Sequence, residues 1–117
     1  MKIFKMFLLL NVIVLLYGCN RTSINDRFFL EKMESSNGIE LIYLDDNDNM
    51  FRILDAEIIA HQLCGNYIFI TQQSQEGLGK RYYIVDIRLD YTNEHNRPLL
   101  VSKGEFEQWM KEGCGRR

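Results

Sequence analysis

Two short runs, Tyr67-Ile68-Phe69-Ile70-Thr71 and Tyr82-Tyr83-Ile84-Val85-Asp86-Ile87, constrain this chain more than any other feature. Aromatic and β-branched side chains suit a pleated, half-buried surface and crowd a helix, so both runs predict strands. The polar, Gly-containing segment from Gln72 to Arg81 joins them, which predicts a central antiparallel hairpin. Alternation in the second run puts Tyr83, Val85 and Ile87 on one face. Tyr82, Ile84 and Asp86 then share the other, where the Asp86 carboxylate could meet a tyrosine hydroxyl.

Weaker strand signals precede this hairpin. An apolar stretch starts at Phe28-Phe29-Leu30 and stops before the turn-forming Ser35-Ser36-Asn37-Gly38. Ile39 to Leu44 alternates as a strand does, Asp45-Asp46-Asn47-Asp48-Asn49 supplies a turn, and Met50 to Leu54 answers as the returning strand. Ile58 to Cys64 reads as another strand, closed by Gly65-Asn66. One helix is well marked near the C-terminus. Ser102 and Glu105 make a capping box, Phe106, Trp109 and Met110 repeat at helical spacing, and Gly113 stands where a stop belongs. The expected fold class is therefore α+β, a small antiparallel β-sheet of about five to six strands with one C-terminal α-helix, the helix stripe serving as core.

The first residues do not belong to that domain. Lys2 and Lys5 precede an apolar stretch from Met6 to Leu16, and Tyr17, Gly18 and Cys19 follow, the arrangement of an export signal. A retained membrane-spanning helix is disfavoured by length: 15 residues lie between Lys5 and Arg21, roughly 23 Å of helix against about 30 Å of hydrocarbon. Leu16-Tyr17-Gly18-Cys19 resembles the lipobox of bacterial lipoproteins, with Tyr17 bulkier than the small residue usual at its place. The resemblance implies cleavage between Gly18 and Cys19 and attachment of a diacylglycerol to the Cys19 thiol. Two or more acyl chains anchor stably where one binds only marginally. Asn20, in place of an aspartate after the cysteine, implies the outer membrane where the host has one. The expected organisation is a signal peptide over 1–18, a lipidated tether over 19–27 and a single α+β domain over 28–117.

With the signal removed, 99 of the 117 residues remain, enough for one core. Of 14 basic residues two lie in the signal, leaving 12 against 16 acidic, a net charge of −4. This mild acidity gives no basic face for nucleic acid, which is not an expected partner. Three cysteines are present, and lipidation of Cys19 leaves Cys64 and Cys114. An exported protein meets an oxidising compartment, so the pair permits one disulfide; a buried Cys64 thiol is the alternative.

From Ile53 to Trp109 the order of motifs is similar to that of a family of small uncharacterised bacterial lipoproteins. The motifs are Ile58-Ile59-Ala60, Asn66-Tyr67-Ile68, Tyr82-Tyr83-Ile84-Val85-Asp86, Pro98-Leu99 and Glu105-Phe106. Arg97 departs from the pattern, where a glycine precedes the Pro-Leu pair. The family carries no established activity, so the resemblance implies fold and location only.

Motifs with catalytic or metal chemistry are sparse. Asp45, Asn47 and Asn49 begin like an EF-hand loop, but Met50 replaces the required glycine and Ala56 the bidentate glutamate. His61 and Cys64 have three-residue spacing, which converges on a helix and diverges on the strand expected there. Glu76-Gly77-Leu78-Gly79-Lys80 lacks the rest of a phosphate-binding fingerprint. No cofactor and no metal are expected. The leading expectation is a non-enzymatic binding module held on the cell membrane or outer membrane by lipid on Cys19, outside the cytoplasm, with an envelope protein or glycan as partner. An immunity or inhibitor protein against an envelope-acting toxin or enzyme is the alternative, and a hydrolase using Cys64 or Asp86 a remote one.

Overall fold

The computed structural model describes residues 21–32, 38–74 and 79–114. The signal segment and Cys19 lie outside them. The elements are β1 (Arg21–Ser23), β2 (Phe28–Lys32), β3 (Ile39–Leu44), β4 (Met50–Leu54), β5 (Ile58–Cys64), β6 (Tyr67–Gln73), β7 (Lys80–Asp86), β8 (Leu99–Val101) and α1 (Lys103–Cys114). The strands form two four-stranded sheets, β1-β2-β3-β4 and β5-β6-β7-β8, antiparallel throughout. This corrects the expected single sheet of five to six strands. The segment 19–27 was expected to be a tether, yet Arg21–Ser23 pair with Phe29–Glu31, so the sheet begins at Arg21 rather than at Phe28.

Burial explains the two sheets. One core lies between them: Phe28, Leu30, Leu41 and Tyr43 from the first sheet meet Ile58, Ile68, Ile70 and Val85 from the second. The other lies outside the second sheet, where Phe69 and Ile84 meet Phe106 of α1. The middle of the second sheet is thus covered on both faces, which is why β6 reads as the unbroken apolar run Tyr67 to Ile70 rather than as a polar–apolar alternation. Burial of each large apolar side chain contributes roughly 1.5–3 kcal/mol.

The link between sheets, Asp55 to Glu57, is short and pinned. The buried Gln72 amide donates to the Asp55 carbonyl at 2.8 Å, and the Gln73 N–H to that of Glu57 at 2.8 Å. At the other end of β5, Gly65 with φ 61° opens a two-residue turn, a place where a side chain would be strained.

The helix starts where the capping box places it. Ser102 Oγ accepts the Glu105 N–H at 3.2 Å, and the Glu105 carboxylate receives the Ser102 N–H at 3.4 Å. Gly113, expected as the stop, lies inside the helix, which runs on to Cys114. Glycine in a helix costs about 1 kcal/mol. Here the last turn is held by tertiary contact, because Gly113 sits over the Phe69 ring and Cys114 is bonded to Cys64.

Candidate functional site

Three connections at one end of the two-sheet stack are closed by side chains that copy a backbone turn. The Asn25 side-chain carbonyl accepts the N–H groups of Arg27 and Phe28, both at 2.9 Å. Asp45 accepts from Asn47 N–H at 2.9 Å and Asn49 N–H at 2.8 Å. Along the connection from β7 to β8, Asp86, Asp90 and Asn93 each accept the N–H two residues on, at 2.9 Å. Asparagine and aspartate favour such turns because their short side chains reach their own backbone.

The connection is anchored by Tyr91. Its ring lies edge-on to Phe28 and Tyr43, with centroids 5.8 and 5.7 Å away, and its hydroxyl accepts the Asp86 N–H at 3.0 Å. Burial pushes the Tyr91 phenol up to about 12. The tyrosine contact expected for Asp86 is therefore made by its backbone, while its carboxylate is gripped by Arg88 through Nε at 2.9 Å and Nη2 at 2.8 Å.

Between these turns lies a cleft of about 420 Å³, a size within the range of binding pockets. Tyr43, Phe51, Ile87 and Leu89 give it apolar walls, and Arg27, Arg88, Asp45, Asp46 and Asp90 give it charges of both signs. Arg27 is bonded to Asp46. Asp45 is held below the usual carboxylate range by the Asn49 N–H, and Asp90 by the Thr92 hydroxyl, so both are anions at neutral pH. A second cleft, of about 390 Å³, opens between Arg52, Tyr83, Tyr91 and Arg97. Both are surface hollows with fixed charges and apolar patches, suited to binding.

The remaining residues singled out in the sequence are dispersed. Gly18 and Cys19 lie outside the described residues, as does most of the Glu76-to-Lys80 segment. Cys64 and Cys114 are joined by a disulfide, with Cα atoms 5.3 Å apart, so Cys64 presents no thiolate nucleophile. His61 is exposed on β5. Asp45, Asn47 and Asn49 bond one another instead of converging on a cation, and among the described residues no group of three or more His, Cys, Asp or Glu side chains is placed to hold a metal. Among them, too, no helix is long and apolar enough to cross a membrane. Trp109, expected in the helix core stripe, is 37% exposed and stands edge-on to Tyr67 at 5.3 Å. Sequence reasoning missed the cleft, because its parts come from turns far apart in the chain and their residue types signal turns alone.

Arg88 holds Asp86 below the usual carboxylate range, chiefly by their side-chain bonds. The folded-state value lies below the unfolded one, so the pair stabilises the fold in full above about pH 4 and loses that contribution as pH falls through the depressed value. In Arg88→Ala, an NMR titration should show the Asp86 carboxyl moving upward; an unmoved midpoint would rule out the pairing.

The chain matches no protein-family model, no curated protein and no solved structure.

Proposed function

We propose that this chain is a lipid-anchored cell-envelope protein, acylated on Cys19, whose domain outside the cytoplasm binds an envelope protein or glycan through the cleft between Arg27 and Arg88. The observation that carries the reading is the position of β1. It begins at Arg21, so Asn20 alone separates it from Cys19, and the two Cα-to-Cα steps span at most about 7 Å. Arg21 lies at the end of the first sheet opposite the β1–β2 turn, which carries Arg27. An anchor on Cys19 would therefore hold the Arg21 end against the lipid and present the cleft on the far side, open to partners. The resemblance of Leu16-Tyr17-Gly18-Cys19 to a lipobox supports the anchor itself.

The test is the intact mass of protein extracted from native membranes, paired with Cys19→Ser. A mass of residues 19–117 plus acyl chains, and loss of membrane association in the variant, are expected. A mass equal to the unmodified full chain would sink the reading. A photo-crosslinking residue at Phe51, on the cleft wall, should capture an envelope component, and the same residue at Leu100, away from the cleft, should not.

A further inference from the structure

Each of the two sheets is open, so the described residues contain four sheet edges: β1, β4, β5 and β8. Exposed edges invite pairing with another chain, and folds usually blunt them with charge, proline or shortness. Three are blunted here. Strand β1 has three residues including Arg21, β8 has three and follows Pro98, and β4 carries Arg52 at its centre, bonded to Glu40 at 3.0 Å and Asp55 at 2.9 Å. Strand β5 differs. It has seven residues, Ile-Ile-Ala-His-Gln-Leu-Cys, with no Asp, Glu, Lys, Arg or Pro, and all from Ile59 to Leu63 are exposed. Its irregularity is confined to the step between Ile58 and Ala60, leaving Ala60 to Cys64 in regular register.

The hydrogen-bonding direction follows from the turn. Cys64 and Tyr67 close a two-residue hairpin and so exchange backbone bonds, which alternate along an antiparallel pair. Gln62 therefore also faces β6, while His61 and Leu63 aim their N–H and C=O groups outward.

We infer that this edge pairs with β5 of a second copy of the chain, antiparallel, through the backbone groups of His61 and Leu63. An antiparallel strand is its own complement about a two-fold axis, so one outward edge satisfies both partners. Charge permits the same occupant. The strand is uncharged, so two copies meet without repulsion. Its start is preceded by Asp55 and Glu57, and beside its last residue Arg88 lies 5.7 Å from the ring of Tyr67, the residue paired with Cys64. Asp55 is bonded to Arg52 and Arg88 to Asp86, so antiparallel pairing brings Glu57 of each copy toward the Asp86–Arg88 ion pair of the other, with no like charges opposed. The result is a continuous eight-stranded sheet. This inference is independent of the lipid anchor and of the cleft.

The test is sedimentation of the full chain in detergent micelles, with three variants. His61→Pro removes an outward N–H and none directed at β6, and Leu63→Lys puts like charges on the paired edges. Leu100→Lys makes the matching change on β8. The native chain and Leu100→Lys should sediment as dimers, and the other two should associate at least about tenfold more weakly while keeping their circular dichroism. Slow exchange of the His61 and Leu63 amides in the native chain, fast in Leu63→Lys, is the second readout, and it stands even where His61→Pro fails to fold. A native monomer at about 100 μM, full dimerisation of Leu63→Lys, equal loss in Leu100→Lys, or a different protein paired at this edge would each overturn the inference.

Discussion

Replacing Cys64 and Cys114 together by serine should lower the unfolding free energy by about 4 kcal/mol and the melting temperature by roughly 15–30 °C. The bond closes a 50-residue loop, and closing a loop of that length in the unfolded ensemble sets the figure. The native side adds to it. Cys114 ends α1 and Cys64 ends β5, so the bond clamps the last helical turn onto the sheet over Phe69. Without it the turn at Gly113, a weak helix former, should fray and admit water to the outer core. Urea titration of the native and double-serine proteins measures the difference. A change below about 1 kcal/mol would mean that the two sulfurs are not joined in the native protein.

Phe28→Ala should be nearly as damaging, at about 3–5 kcal/mol. Phe28 is fully buried in the core between the sheets, with its ring 5.1 Å from Tyr43 and 5.8 Å from Tyr91. Truncation removes the contact surface of both tyrosines at once and leaves a hole that rigid strands cannot close. The damage should spread to the cleft, because Tyr91 holds the connection carrying Leu89 and Asp90, and Tyr43 forms part of the wall. Leu100→Ala, at an exposed site of the same chain, should change stability by less than about 0.5 kcal/mol in the same urea titration. Equal effects at the two positions would contradict the core described here.

Most individual elements were legible in the sequence because their signals are local. The central hairpin follows from aromatic and β-branched density, and the helix start from Ser102 and Glu105, whose reciprocal bonds the structure contains. The division into two sheets was not legible. It falls at Asp55-Ala56-Glu57, where no glycine or proline marks a break, and what enforces it is the nonlocal matching of two apolar faces. Strand β1 escaped notice because Arg-Thr-Ser is polar on both faces and is recruited by pairing with β2, whose own side chains supply the burial. The cleft was hidden for a related reason. Asn25, Asp45 and Asp90 each declare a turn, and nothing in the chain says that those turns share one end of the molecule.

The covalent bond between Cys64 and Cys114 lies wholly within the half of the chain that follows the link at residues 55–57. Its loop encloses β6, β7 and β8, and none of the first sheet. The domain is therefore two cooperative units of unequal toughness: a cross-linked kernel packed on both faces, and a four-strand lid that rests on it through a single interface. Moderate denaturant should strip order from the lid while the kernel stays closed, and a protease would find its first cuts there. Sequence change is correspondingly cheaper in the lid's outward face than in β6 and β7, the kernel's middle strands, which answer to two cores at once.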